Sequence, residues 1–289
     1  MLTLGGSEVP AVLGLDPYTS AYALGARKLG VTSDPPQSEA ARHGLLLQEA
    51  HLRLVEQDGR QVMPAPAEGF THPEHEWLTG HPDAFTVIEG ERGPLELKLR
   101  GIAPSDGLRL RDTVQALVYV ELTGAERGLV STLHGGFGGI VRDEWTVERD
   151  AELWELIVER CERFLSLLAD GRLPAPDGSD SARDAVRAVP GVNGEAVRAD
   201  QATWQHVLSS RELAYLIDTA KAQKEAHDQA VQAFMGEATE LVSPYDQPAA
   251  RWRTVESHRL DTKALRLAHP ALAAEFTKTT TSRRFEVNV

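Results

Sequence analysis

The chain has 289 residues, a formal net charge of −13 with His neutral, and one cysteine, Cys161. That length accommodates a large domain with an appendage, and a lone cysteine excludes an intrachain disulfide framework and fits a reducing cell interior. The acidic balance argues against a generic nucleic-acid coat, whose phosphate contacts come from Lys and Arg; with no stretch of membrane-spanning apolar length and no signal-peptide pattern at residues 1–5, a soluble, untargeted, cytoplasmic protein with no membrane partner is expected.

Residues 1–31 read as a turn-rich opening and then a helix over about 19–29, with Tyr22, Leu24 and Leu29 for packing. Ser7, in the opening, is of the type that caps helices. Residues 38–55 form a second helix with Ser38 as its cap and Leu45, Leu52 and Val55 in its apolar stripe. Gly44 within it lets a neighbouring backbone approach closely. Gly59, Pro64, Pro66, Gly69 and Pro73 mark residues 56–76 as loop, with one strand near 61–63. His72 and His75 flank a proline without a cysteine nearby, and read as loop histidines, not a metal pair.

The centre of the chain is a hairpin. Residues 85–88 and 94–100 read as strands joined by a turn over 89–93. Strand alternation places Leu95, Leu97 and Leu99 on one face and Glu96, Lys98 and Arg100 on the other. Pairing the strands brings Asp83, just before the first, towards Glu96 on the second. Two carboxylates with an ammonium beside them suit Mg²⁺, with Mn²⁺ as substitute, bound through carboxylates, waters and a substrate phosphate. Lys98 is placed to position water or offset developing charge. Glu-x-Lys alone is a common solvent-facing pair; Pro82-Asp83, thirteen residues before Glu96, gives the pattern its weight.

Residues 112–122 form a helix with Gln115 and Tyr119 on one face, and Arg100, Arg109 and Arg111 add positive charge around it. Residues 128–133 and 140–147 read as a second hairpin. The Gly-rich turn at 134–139 lacks a following Lys-Ser/Thr and a helix, so it is no phosphate-binding loop. An amphipathic helix over 148–169 and a Pro-rich linker at 174–181 end the first domain, 1–180. In 181–289, a long helix over 209–235 opens on Ser209-Ser-Arg-Glu212, a capping box, with Leu213, Leu216, Ile217, Ala220, Val231 and Phe234 on its apolar side. From Arg251 onward eight Lys and Arg face four acids, reversing the sign of the chain, with Trp252 and Phe285 among them.

Pro82-Asp83 with Glu96-Leu97-Lys98 resembles the signature of the PD-(D/E)XK nucleases. The opening Gly5-Gly-Ser-Glu-Val-Pro-Ala-Val-Leu-Gly-Leu-Asp-Pro-Tyr18 resembles the start of their YqaJ/lambda-exonuclease-like branch, and Gln115-Ala-Leu-Val-Tyr119 resembles the Gln-x-x-x-Tyr motif shared with RecB-type enzymes. These motifs span residues 5–176. The long helix, the Arg251-Trp252 segment and the closing Ser282-Arg-Arg-Phe285 are also similar to parts of larger YqaJ-type phage proteins.

The resemblance implies an α/β nuclease core, a mixed central sheet flanked by helices, with a helical C-terminal appendage at 181–289. It implies Asp83, Glu96, Lys98 and Gln115 as catalytic residues and Asp83 and Glu96 as metal ligands. The family has a glutamate four residues after the position of Gly44; here Gln48 stands there and Glu49 follows, so one or the other completes the metal site. Ser7 would lie near a DNA terminal phosphate, although the family's arginine upstream of it is absent, the first arginine being Arg27. His81 stands where the family has a phosphate-contacting serine, and Tyr119, Arg100, Arg109 and Arg111 would meet DNA. The implied activity is 5′→3′ digestion of linear duplex DNA for phage-type recombination, in a bacterial or phage-infected cell, with a single-strand annealing protein as partner and a homo-oligomer open. An endonuclease or single-strand exonuclease on the same site, or a DNA-end or partner-binding module with impaired cleavage, are the alternatives.

Overall fold

The computed structural model describes residues 2–36, 38–101, 107–136, 139–189, 196–279 and 283–288. The chain forms two compact units, Met1–Pro190 and Gly191–Val289.

The first unit opens with β1 (Leu4–Gly5), a 3-10 turn (Gly6–Glu8), α1 (Val9–Val12) and α2 (Ala21–Lys28). Ser20 caps α2 and Ser38 caps α3 (Glu39–Gln57), each hydroxyl accepting a first-turn N–H at 3.1 Å. Four strands follow: β2 (Val62–Pro64), β3 (Phe70–Thr71), β4 (Leu78–Gly80) and β5 (Ala84–Ile88). Next come β6 (Glu91–Arg100), α4 (Leu110–Thr123), β7 (Arg127–Gly136), β8 (Gly139–Glu148), α5 (Ala151–Ala169) and α6 (Asp180–Ala188).

Strands β2, β5, β6, β7 and β8 lie side by side in that order. β6 and β7 are parallel and the other pairs antiparallel. A parallel pair needs a crossover, and α4 supplies it. That helix is apolar nearly all round, as a helix buried on every side must be: Val114, Ala116, Leu117, Val118, Val120 and Leu122 are all buried. It shares one core with α1 and α5. A second, smaller core lies between α3 and the sheet, around Val55, Leu95 and Leu129. The mixed sheet flanked by helices is thus the expected α/β core.

Two boundaries differ from the sequence reading. The hairpin turn expected over 89–93 tightens to Glu89 and Gly90, both with positive φ (51° and 90°), and β6 starts at Glu91. Two positive φ values make the turn whose twist matches its strands. Gly93 belongs to the strand, where a Cβ would come within 2.2 Å of the Arg127 carbonyl oxygen; only glycine lets β7 come so close. The first unit also runs past the Pro-rich stretch, since α6 returns to pack Ala185 on Ala23 and Ala26 of α2. There the Ser20 N–H donates to Ser181 Oγ at 2.8 Å. Phe137 and Gly138 of the Gly-rich turn lie outside the described residues.

The second unit holds α7 (Gln201–Met235), the hairpin β9 (Glu240–Val242) and β10 (Pro248–Arg251), then α8 (Thr262–Ala268) and α9 (Pro270–Glu275). α7 begins eight residues before the expected Ser209, because Asp200 provides the cap, accepting from Thr203 N–H at 2.7 Å. Ser209 is mid-helix. The expected apolar side is not a buried one: Leu213, Leu216, Ile217 and Phe234 are exposed, and Met235 is the only buried hydrophobic residue of this unit among those described. Arg251 and Arg253 both pair with Glu240. Ser282 of the closing segment lies outside the described residues.

Candidate active site

The site forms just before β5 begins. In the register Ala84 to Leu95, position 82 would face Leu97, and proline has no N–H to extend the ladder. Asp83 takes over with its side chain, Oδ2 accepting the Leu97 N–H at 2.8 Å. The Leu97 carbonyl points to the same side as its N–H, toward a proline that cannot bond it. Asp83 Oδ1 accepts from Gln48 Nε2 of α3 at 3.0 Å.

Glu96 lies on the opposite face of β6 from Leu97, toward α4. Its Oε1 accepts from Lys98 Nζ at 2.7 Å and from Gln115 Nε2 at 2.8 Å, and Lys98 also donates to Gln115 Oε1 at 2.7 Å. Three side chains thus close a triangle. Gln115 reaches on to the Tyr119 hydroxyl at 3.3 Å. Tyr119 is buried, its ring pressed by the backbones of Gly6 and Gly80, where a Cβ would lie within 2.8 Å of it. It braces Gln115 from behind.

The other expected residues separate by environment. Gln48 lines the cleft with Asp83, Glu96 and Leu97, whereas Glu49 is exposed and pairs with Arg53 one turn on. The structure therefore brings Gln48, not Glu49, to Asp83. Ser7 stands exposed at the cleft rim; Gly5, not Ser7, is the cap residue of its turn. His81 is exposed with its ring against Gly69, and does not line this cleft. Arg109 is exposed. Arg100 and Arg111, expected along a DNA path, are instead drawn onto acids: Arg100 onto Asp112, Arg111 onto Asp16 at 3.4 Å and Asp112 at 3.6 Å. His72 is a loop residue as expected, its Nδ1 accepting the Glu74 and His75 N–H groups at 3.2 Å while its ring stacks on Trp154.

Two residues near the site were passed over in the sequence. Asp112, 2% exposed, gathers Lys98, Arg100 and Arg111 around itself. His51, 3% exposed, lines the cleft. Helical spacing was the available signal: Asp112 is one turn before Gln115, and His51 one turn after Gln48.

Burial pushes the Glu96 carboxyl up to about 7; the Lys98 charge opposes this, while the Asp83 and Asp112 charges add to it. Burial also raises Asp83, against the Leu97 N–H and Lys98. Two neighbouring carboxylates that resist ionisation are what a divalent cation would relieve. The donors fit such an ion: the oxygens of Asp83 and Glu96, the Leu97 carbonyl, and the Gln48 amide if turned to present its oxygen. No group of three or more His, Cys, Asp or Glu is placed to hold a metal among the described residues. The glutamine at position 48 leaves two carboxylates here.

Without metal, Glu96 keeps its proton in the folded chain up to about 7 but loses it near 4.5 when unfolded. Stability from this group therefore falls as pH rises between those values. A cation competes with that proton, so affinity should rise over the same range. Mn²⁺ binding, followed by electron paramagnetic resonance (EPR) without DNA, is expected to be about tenfold tighter at pH 8 than at pH 6. Equal affinity at the two values would show that Glu96 does not bind the ion.

The structure sets Pro82-Asp83 against Glu96-Leu97-Lys98, with Gln115 on the crossover helix, so the residues that carry the sequence resemblance lie together. The chain resembles a known protein over nearly its whole length. It is 27% identical over 300 residues to YqaJ of Bacillus subtilis, an uncharacterised protein, a match covering 98% of this chain and 90% of that one. No family model matches. Among solved structures, an alkaline exonuclease from Laribacter hongkongensis is similar at 17% identity and a TM-score of 0.45, over 58% of this chain and 89% of that one. A phage-related exonuclease from Haemophilus somnus 129PT is similar at 13% identity and a TM-score of 0.44, over 58% and 93%. No described helix is long and apolar enough to cross a membrane.

Proposed function

We propose that the chain is a Mg²⁺-dependent deoxyribonuclease, an exonuclease that digests linear duplex DNA from 5′ ends, with Mn²⁺ able to substitute. The observation that supports this most is the closed triangle of Glu96, Lys98 and Gln115 beside Asp83 just before β5. Asp83 and Glu96 would hold the ion with the Leu97 carbonyl, and Gln48 would add a neutral oxygen. When bound, the ion supplies Lewis-acid polarisation of the phosphate and hydroxide near neutral pH. Lys98, fixed by two hydrogen bonds, orients the attacking water and offsets the charge that grows on the phosphate. Gln115 holds both Glu96 and Lys98 in place. Ser7, at the cleft rim, meets the terminal phosphate, with Arg109 as an exposed cation at the start of α4.

In this reading the basic stretch from Arg251 onward gives the acidic chain a second hold on DNA, and recombination with a single-strand annealing partner is the setting. The test is a gel assay on end-labelled linear and closed circular DNA with Mg²⁺ or EDTA. Exonuclease action predicts loss of linear duplex from labelled 5′ ends, no attack on circles, and none with EDTA. Nicking of circles would make the enzyme an endonuclease, and digestion of single strands alone a single-strand exonuclease. Binding without cleavage would favour an impaired DNA-end module, the reading that Gln48 in place of a carboxylate motivates.

A further inference from the structure

The interface between α3 and the sheet is apolar around Leu52, Val55, Leu95, Leu97 and Leu129. A bonded polar pair interrupts it. His51 Nε2 lies 2.9 Å from Ser131 Oγ on β7, both side chains buried. Ser131 is opposite Leu97 in the parallel ladder, and Leu97 is the residue whose N–H Asp83 binds. The same hydroxyl accepts from Arg142 Nη1 of β8 at 3.4 Å. Arg142 Nε donates in turn to Asp58 Oδ2 at 2.7 Å, and Asp58 closes α3 at its C-terminal end. The helix is therefore tied to β7 and β8 at two points, in its middle and at its end. Burial and the Arg142 charge lower the imidazole to about 4, so it is neutral at physiological pH.

An apolar pair in place of His51 and Ser131 would bury similar surface without desolvating two polar groups. What a hydrogen bond adds is direction. Greasy side chains allow a helix to roll about its axis; a bond between fixed atoms does not. Gln48 lies three residues before His51, on the same side of the helix, and a small roll would carry its amide away from Asp83.

We propose that His51 is a positioning residue: its bond to Ser131 fixes the rotation of α3 over the sheet and so holds the Gln48 amide against Asp83. The proposal rests on the nuclease reading for its activity measurement only; its ion-binding measurement stands apart from any cleavage.

The test uses the full chain with His51→Phe, which keeps a ring of similar size but cannot make the bond, and Ser131→Ala, which removes the partner. Both are expected to weaken Mn²⁺ binding, read by EPR without DNA, by about tenfold, as loss of an outer hydrogen-bond partner does in metal sites. On linear duplex they should lower kcat while leaving KM unchanged. In a Gln48→Ala background His51→Phe should cost nothing further, because its effect runs through that amide. Ser131→Thr, which retains the hydroxyl, should bind Mn²⁺ as the parent does. Parent-like Mn²⁺ affinity in Ser131→Ala overturns the proposal, and so does a His51→Phe loss that adds in full to that of Gln48→Ala. Should His51→Phe fail to fold, Ser131→Ala and Ser131→Thr decide it. A parent chain that cuts no DNA would refute the nuclease reading, yet leave the Mn²⁺ comparison to decide the role of His51.

Discussion

Alanine at Asp83, Glu96 or Lys98 is expected to lower cleavage of linear duplex by at least about a hundredfold in each case, the scale at which one member of a concerted site is lost. Asp83→Ala removes the acceptor for the Leu97 N–H as well as a ligand, so Asp83→Asn, which keeps an acceptor, separates the two roles. Lys98→Ala removes the cation that opposes protonation of Glu96. Because Glu96 already holds its proton to about 7, it should stay neutral and buried instead of unfolding the chain. Glu96→Gln keeps an acceptor for Lys98 and loses only charge. Initial rates on end-labelled duplex, with thermal melts to confirm folding, check the series. Near-normal rates in all three alanine variants would sink the assignment of the site.

Restoring a carboxylate at position 48 should act in the opposite direction. The Gln48 amide is 3.0 Å from Asp83, close enough for a glutamate there to share an ion with it. Gln48→Glu is expected to tighten Mg²⁺ and Mn²⁺ binding by about tenfold or more, by giving a hard cation a third carboxylate, and to lower the Mg²⁺ concentration needed for half-maximal cleavage. Without metal the same change should destabilise the chain, since it sets another negative charge against Asp83. Glu49→Ala is the control. Its side chain is exposed on a surface pair with Arg53, so its loss should leave ion binding unchanged. If Glu49→Ala weakens binding and Gln48→Glu does nothing, the roles of the two positions are exchanged.

Much of the core was legible because its signals are local. Alternation in β6 separates Leu95 and Leu97 from Glu96 and Lys98, and the cap at Ser38 marks where α3 starts. The two strands β5 and β6 could be paired from spacing alone. What escaped the sequence depends on contacts between distant segments. Nothing near Arg100 announces that it turns onto Asp112, across the segment that joins β6 to α4, since a cation's partner is set by packing. His51 looked like any polar residue of an amphipathic helix until Ser131, eighty residues away, was placed beneath it. The resemblance supplied the choice between Gln48 and Glu49, and only the rotation of α3 separates them. The start of α7 was missed because Asp200 and Ser209 are both competent caps, and the earlier one forms the helix end.

The strand β1 pairs with β4, Leu4 N–H donating to the Trp77 carbonyl at 2.7 Å, and Gly6 rests on the ring of Tyr119. Both contacts join the opening segment to residues far along the chain. β1 can pair with β4 once Leu78 and Thr79 are made, but Gly6 gains its seat only with Tyr119, after α3 and the β5–β6 hairpin can already form. Long-range closures of this kind are slow steps in folding, so Asp83 and Glu96 are expected to come together before the rim of the cleft that carries Ser7 is complete.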